Sequence, residues 1–332
     1  MTYQELVNKI LQLQEDGLEI FNAGKSVLGK NLLCTHVGSY SGPQVLIQGG
    51  IHAREYITSL LMVEQARDLF LNNRVKGGGI YFVFLTNPDG AALVLDGLSS
   101  VGCEIQRQFL TLANGGVTDF SQYKANINLV DLNTNFNANW GKGAQNVFCP
   151  ATENFVGYYP ESEREVQSLI KFTMQTKPLI TISYHTKGNV IYWGFDGQSE
   201  QNKARDYKIR EAFSEYTGYP LVATENSTGG YKDWCIDTLK IPAYTIEVGD
   251  ENLPHPLGED VLPEIYERNK DVPIIALQKA KEYATSIDFT SPKVQNINIG
   301  ANYGRNEIGN RTSAFGFFQR GSSNWGGNFK RW

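Results

Sequence analysis

The amino-acid sequence predicts an α/β protein in which helices cover both faces of a mixed or largely parallel β-sheet. Short apolar runs alternate along the chain with longer stretches of helical periodicity, and this alternation is typical of such sheets. Two of the runs, residues 45–51 (VLIQGGI) and 179–184 (LITISY), have the composition of buried strands. The length of 332 residues is enough for one large domain of this class. Ligands of such folds bind beyond the C-terminal ends of the strands, so we expect a functional site there.

The individual elements follow from the spacing of apolar residues. Leu6 and Ile10 recur at helical spacing and predict a first helix, while residues 161–175 show the same pattern with Ser162 as a candidate N-cap. Residues 87–90 (NPDG) are a strong turn signal. The predicted helices span residues 3–14, 58–71, 161–175, 201–216 and 262–287, the last with a break near Pro273, and the predicted strands span residues 31–37, 45–51, 80–85, 179–184, 190–193 and 244–248.

Composition and charge argue against several classes of function. The net charge is −5 and the 30 basic residues are scattered, whereas a nucleic-acid partner would require clustered Lys and Arg. No run reaches the ~18 apolar residues that a membrane span needs. Residues 1–17 lack the basic start and apolar block of a signal peptide, so we expect a cytoplasmic protein that leaves the cell only by another route such as lysis. The four cysteines form no CxxC pair and are expected to be idle thiols, although disulfide formation stays open.

Two of the four histidines lie where predicted strands end. His52 follows the strand 45–51 and is three residues before Glu55, so both side chains can face one ion from a single turn. His185 ends a second apolar strand. Alone, the HxxE spacing is weak evidence, and His185 taken alone fits a hydrogen-bonded core histidine better than a metal ligand. Together they supply three ligands and leave a fourth position for water, which is the arrangement of a catalytic zinc site holding one Zn²⁺.

Glu247 lies within a third apolar run, YTIEV. Burying a carboxylate there is costly unless a charge compensates it, and a nearby metal ion with its water would do so. A buried glutamate with a raised pKa also suits a general base near neutral pH. The alternative is a structural salt bridge. His36 and His255 have no comparable setting, and we predict both to be non-catalytic.

Seven motifs give the chain a family resemblance. HARE, NPDG, YKAN, VDLNTNF, SYHT, GGYKDW and YTIEVG occur in this order, and together they resemble the zinc carboxypeptidases of the carboxypeptidase A type over about residues 3–287. SYHTKGNVIYW and ERNKDVP are most similar to the bacterial γ-D-glutamyl-L-diamino acid endopeptidases, which cut peptidoglycan stem peptides. The resemblance implies an α/β/α sandwich around a mixed, mostly parallel eight-stranded sheet. It also implies zinc at His52, Glu55 and His185, with Glu247 as general base.

The resemblance assigns roles to three further residues. Lys124 of YKAN is at the position of the cation that polarises the scissile carbonyl. Asn133 matches an asparagine that contacts the carboxylate at the C-terminal end of the substrate. Arg54 matches a subsite arginine.

The sequence departs from the family pattern at the residue after Asn133. The family has an arginine that clamps a terminal carboxylate, but this chain has Thr134, which supplies neither the fork nor the charge. Lys232 falls where the family tunes its specificity pocket and is a candidate to bind a carboxylate instead. Tyr231 follows the paired glycines and is a candidate for part of the role of a mobile tyrosine that the family has before them.

The resemblance implies a peptide or peptidoglycan-fragment substrate, with cleavage between γ-D-glutamate and a diamino acid such as meso-diaminopimelate. Three alternatives stay open: a metallocarboxypeptidase with altered C-terminal recognition, a catalytically inactive peptide-binding module, and a phage or spore component. The oligomeric state is also open.

Composition changes near residue 291 and divides the chain. We expect a zinc peptidase catalytic domain over 1–290 and a tail over 291–332 that is rich in Gly, Asn and aromatic residues. The tail fits either a poorly ordered extension or an appendage that contacts carbohydrate through its aromatic residues, namely Tyr303, Phe315, Phe317, Phe318, Trp325 and Trp332.

Overall fold

The computed structural model describes residues 1–224 and 226–286. The predicted tail over 291–332 lies outside these residues, so the proposed division of the chain stays a prediction. Within the described residues, none of the helices is both long and apolar enough to cross a bilayer. The four cysteines all fall in the described part and are free thiols, with Cys34 and Cys235 buried.

The described residues form one eight-stranded mixed sheet, which confirms the predicted α/β class. The strands are β1 (Ile20–Lys25), β2 (Asn31–Gly38), β3 (Gln44–Gln48), β4 (Gly79–Val83), β5 (Ile180–His185), β6 (Val190–Trp193), β7 (Leu221–Ala223) and β8 (Ala243–Glu247). The strand order is β1-β2-β4-β3-β5-β8-β6-β7. The central pairings β4–β3, β3–β5 and β5–β8 are parallel, and so is β6–β7, whereas β1–β2, β2–β4 and β8–β6 are antiparallel.

Helices pack on both faces of this sheet. Successive residues of a strand point to opposite faces, and β3 shows this directly: Val45 and Ile47 belong to one apolar cluster and Leu46 to the other. The helices are α1 (Tyr3–Leu11), α2 (Ile57–Leu71), α3 (Pro88–Asp96), α4 (Glu104–Ala113), α5 (Arg164–Thr176), α6 (Glu200–Thr217), α7 (Tyr231–Trp234), α8 (Leu262–Asn269) and α9 (Val272–Ser286). The first cluster contains residues of α1, α2, α6, α8 and α9, and the second contains residues of α5 and α7.

Three local predictions were wrong. Residues 87–90 do not form an isolated turn but begin α3, because Oδ1 of Asn87 accepts a hydrogen bond from the Gly90 N–H at 3.0 Å and Pro88 suits the first helical position. Ser162 does not cap α5; it donates to Oε1 of Glu163, the residue at the N-cap. The strand predicted over 45–51 ends at Gln48, where Gly49 and Gly50 turn the chain towards His52.

Candidate active site

Two histidines and a glutamate meet at the C-terminal ends of the central strands. Gly50 has a φ of +58°, a conformation that glycine adopts without steric cost, and the turn it makes leads from β3 to His52. A 3₁₀ turn over Ala53–Glu55 then brings Glu55 beside His52. His185 is the last residue of the neighbouring strand β5. The structure therefore brings these three residues together at the C-terminal ends of the strands, as the sequence predicts.

The ligand atoms of these buried side chains are close enough to share one ion. Nδ1 of His52 lies 2.9 Å from Oε1 of Glu55, and Nδ1 of His185 lies 3.1 Å from Oε2 of Glu55. The two Nδ1 atoms are 3.1 Å apart. Tetrahedral zinc with ligands at ~2.0–2.1 Å separates those ligands by ~3.3 Å, so the spacing fits one ion. Burial would raise the pKa of Glu55, yet His52 and His185 hold it well below its usual range.

A buried aspartate that the sequence analysis did not single out lies behind His52. Oδ1 of Asp131 is 3.2 Å from Nε2 of His52, and Oδ2 is 3.0 Å from Nζ of Lys124. Burial would raise the pKa of Asp131, but Lys124 and His52 hold it well below its usual range. A carboxylate at the outer nitrogen of a metal-binding histidine fixes the tautomer and orientation of the ring. Asp131 thus links the candidate ligand His52 to Lys124.

Glu247 ends β8 directly beside His185. The two residues are register partners in the parallel β5–β8 pair. Oε2 of Glu247 is buried and has no hydrogen-bond partner within the described part of the chain. Burial raises the pKa of Glu247 to about 7, with His185 opposing this shift and Glu55 adding to it. The carboxylate can therefore exchange a proton near neutral pH, as a general base must.

A cleft of about 860 Å³ opens beside the His-Glu-His group, and we call it the main cleft. It contains the candidate ligands His52 and His185, the candidate base and most of the residues predicted to contact substrate. Of the residues singled out in the sequence, its lining includes His52, Lys124, Asn133, Thr134, His185, Lys232 and Glu247.

Asn133 and Thr134 are held in place by hydrogen bonds between their side chains and the backbone. Oδ1 of Asn133 accepts from the Tyr231 N–H at 3.1 Å. Oγ1 of Thr134 donates to the carbonyl oxygen of Asp131 at 2.9 Å. The position of the family arginine is thus occupied by an uncharged side chain tied to the backbone.

Lys232 lies in the main cleft as part of a buried ion pair. Its Nζ donates to the carbonyl oxygen of Gly194 at 2.7 Å and to Oδ1 of Asp233 at 2.5 Å. Asp233 also lines the cleft, and its Oδ2 accepts from the Gly230 N–H. The cleft therefore presents opposite charges side by side.

Two residues predicted to contact substrate lie outside the main cleft. Tyr231 is fully buried, and its hydroxyl is 2.8 Å from Oγ1 of Thr173, so it cannot cover the site. Its aromatic ring fills the apolar core below α7 and not the space above the cleft. Arg54 lies between the candidate ligands His52 and Glu55 in the sequence. Its Nη1 donates to the carbonyl oxygen of Gln122 at 2.8 Å.

The two remaining histidines differ in their surroundings. Nε2 of His36 lies 3.0 Å from Oε1 of Gln44, and the imidazole ring stacks on Tyr40. His255, predicted to be in a surface loop, is half-buried, and its carbonyl oxygen accepts from Nε2 of Gln122, the residue that also binds Arg54.

Comparisons with known proteins agree with this architecture. The model of the zinc carboxypeptidase family matches residues 3–271. The γ-D-glutamyl-L-diamino acid endopeptidase 1 of Lysinibacillus sphaericus is 31% identical over 273 residues, which cover 77% of this chain and 67% of that protein. This chain thus spans about two thirds of the length of that relative.

Solved structures share the fold at low identity. Carboxypeptidase A from Helicoverpa armigera superposes with a TM-score of 0.67 at 17% identity, covering 86% of this chain and 74% of that one. Bovine thrombin-activatable fibrinolysis inhibitor gives a TM-score of 0.65 at 20% identity, covering 86% of this chain and 97% of that one. The sequence match extends over most of the chain and includes all three residues of the His-Glu-His group. This chain belongs to the zinc carboxypeptidase family and is a zinc metallopeptidase.

Proposed function

We propose that the protein hydrolyses the amide bond between γ-D-glutamate and a diamino acid, meso-diaminopimelate in particular, in peptidoglycan stem peptides. The observation that carries this proposal is the Lys232–Asp233 ion pair in the main cleft. The Lysinibacillus relative, named as an enzyme of this specificity, supports the same choice.

The ion pair fits a zwitterionic side chain. The far end of diaminopimelate carries a carboxylate and an ammonium group, which can pair with Lys232 and Asp233 respectively. An apolar side chain in this position would remove water from two charged groups and offer them no hydrogen bonds in return. This desolvation costs free energy. The cleft therefore favours a diamino acid over the side chain of an aromatic or aliphatic residue.

Thr134 is consistent with this choice. Without an arginine after Asn133, the protein has no bidentate clamp at that position for the α-carboxylate of a substrate. A substrate with a second carboxylate can instead be held by Lys232. We propose that Asn133 still contacts the α-carboxylate of the diamino acid.

The chain's own side chains account for proton transfer and charge stabilisation. His52, Glu55 and His185 would hold the zinc, which when bound acts as a Lewis acid and lowers the pKa of water. Glu247 takes a proton from the attacking water at its carboxylate and returns it to the leaving amine. The Nζ of Lys124, held by Asp131, donates to the oxygen of the scissile carbonyl as negative charge develops there.

Mass spectrometry of the zinc-loaded protein incubated with L-Ala-γ-D-Glu-meso-diaminopimelate tests the proposed bond. We expect free diaminopimelate, and much slower release of lysine from L-Ala-γ-D-Glu-L-Lys, which lacks the distal carboxylate. Equal rates of release from the two tripeptides would show that the Lys232–Asp233 ion pair does not select the diamino acid. Cleavage only of ordinary peptides with a free C-terminus would establish a carboxypeptidase with altered recognition. Binding without any turnover would establish an inactive peptide-binding module.

A further inference from the structure

Helix α4 carries a row of apolar side chains on its outer face. Ile105, Phe109 and Leu112 are 74%, 58% and 75% exposed, and their spacing of four and three residues places them in one line along the helix. We call this row the α4 stripe. It presents on the order of 400 Å² of apolar surface, an extent that marks interaction sites on soluble proteins.

A groove of about 760 Å³ lies beside the α4 stripe, and we call it the α4 groove. Its walls come from α4 and from the 3₁₀ turn before that helix, and they include Leu98, Arg107, Thr111 and Leu112. Leu112 therefore belongs to both features. When a ridge lies next to a groove on one surface, two identical surfaces can fit each other, because the ridge of each enters the groove of the other.

The opposite side of α4 is anchored near the catalytic residues. Leu110 is buried in the apolar cluster that also contains Tyr123. Nε2 of Gln106 donates to the carbonyl oxygen of Ile127 at 3.4 Å. Both contacts join α4 to the segment that carries Lys124. The α4 stripe therefore lies on a fixed support, and a partner bound to it would also brace that segment.

The charges around the α4 stripe favour a second copy of the chain as the partner. The net charge of −5 makes two copies repel each other in general. On α4, however, the two charged side chains offset each other, since Nη1 of Arg107 lies 3.3 Å from Oε2 of Glu104. Pairing through α4 thus buries no unpaired charge. Residues 97–119 contain a single basic residue, whereas a helix that binds an anionic membrane is rich in Lys and Arg.

The α4 stripe also has the symmetry that self-association needs. Its midpoint falls beside Phe109, with Ile105 and Leu112 at its two ends. In an antiparallel pair of α4 helices, a two-fold axis at this midpoint places Ile105 of each copy against Leu112 of the other. The stripe supplies about half of the ~800 Å² that each partner buries in a standard interface, and the walls of the α4 groove add to it.

We propose that the protein forms a two-fold symmetric dimer in which the α4 stripe of each copy enters the α4 groove of the other. None of the stripe residues lines the main cleft, so both clefts of the dimer stay open. The proposal does not depend on which peptide bond the protein cleaves. It assigns a partner to the apolar face of α4.

Analytical ultracentrifugation of the zinc-loaded full chain over a range of concentrations tests the dimer. We expect the wild type to reach twice the mass of one chain. Leu112→Glu should raise the Kd of the dimer by about 100-fold or more, because it brings a carboxylate of each copy into an apolar contact. Leu71→Glu is the matched control, since Leu71 is a 57% exposed leucine at the end of α2 and lies outside the stripe and groove. It should leave the Kd unchanged.

The zinc content of both variants is measured on the same samples to verify that each is folded. A wild type that is monomeric at every concentration would overturn the proposal. A dimer that Leu112→Glu leaves intact would overturn it too. A monomer that sediments with phosphatidylglycerol vesicles would also overturn it and would show that the α4 stripe contacts a lipid surface.

A mixing experiment tests the antiparallel arrangement. Ile105→Lys should weaken the dimer as Leu112→Glu does. Mixed in equal amounts, the two variants should form a heterodimer, because the introduced ammonium group of one faces the introduced carboxylate of the other. The second contact across the axis then keeps its native Leu112 and Ile105. Two weakened variants that do not associate on mixing would overturn this arrangement.

Discussion

His185 and Glu247 occupy the last paired position of the parallel strands β5 and β8. The Val248 N–H donates to the carbonyl oxygen of His185 at 2.9 Å, which fixes the two residues side by side. Residues opposite each other in neighbouring strands project from the same face of the sheet. Sheet pairing, and not a loop, therefore positions the candidate metal ligand and the candidate base. A strand is a more rigid support than a loop.

Asp131 should control the affinity for zinc. Asp131→Asn removes the carboxylate behind His52, so we expect the Kd for zinc to rise by about 10–100-fold, as measured by competition with a chelator. Asp89→Asn is the matched control, because Asp89 is also fully buried and pairs with a lysine, Lys30, at 2.9 Å. An equal loss of zinc affinity in both variants would show that Asp131 acts only through general stability.

The central part of the fold and the metal ligands could be predicted because their signals are local. Strands β3, β5 and β8 are buried at nearly every position, and each ends at or just before a residue of the site. Strands β1 and β7 were missed, because they form the two edges of the sheet, where half-exposed residues give no apolar run.

Asp131 was missed for a different reason. It owes its position to a partner far away in the chain, His52. No spacing within the sequence brings such pairs together. A buried aspartate in the apolar segment LVDL was the one available signal for Asp131.

Lys232 should determine which side chain the main cleft accepts. We expect Lys232→Met to lower kcat/KM for the diaminopimelate tripeptide by about 10-fold or more, and to change that for the lysine tripeptide much less, because one charged hydrogen bond is lost. Lys30→Met serves as control, since it removes a lysine that is paired with a buried aspartate outside the cleft. An unchanged kcat/KM for the diaminopimelate substrate would rule out this role.

Glu165 should make stability depend on pH. Burial raises the pKa of this carboxyl from 4.5 to about 7, and Asp89 and Glu163 add to the shift. A folded-state pKa above the unfolded value means that the contribution to stability is fully present below about pH 4.5 and is lost as the pH rises through about 7. The loss amounts to ~3 kcal/mol at most.

Glu165→Gln removes this titration. The free energy of unfolding of the variant, minus that of the wild type, should therefore increase between pH 4.5 and pH 8. Urea unfolding of both proteins with zinc present measures the difference at each pH and cancels titrations that the two share. A difference that is constant across this range would contradict a raised pKa at Glu165.

The zinc content and turnover of Glu247→Gln test the central claim most directly. Both are measured on the same preparations of wild type and variant, with the diaminopimelate tripeptide as substrate. The account predicts one zinc per chain in each protein and a kcat for the variant that is about 10²–10⁴-fold lower, because the general base is lost while the metal ligands stay. A variant that retains zinc and turns over at the wild-type rate would contradict the assignment of Glu247 as the base.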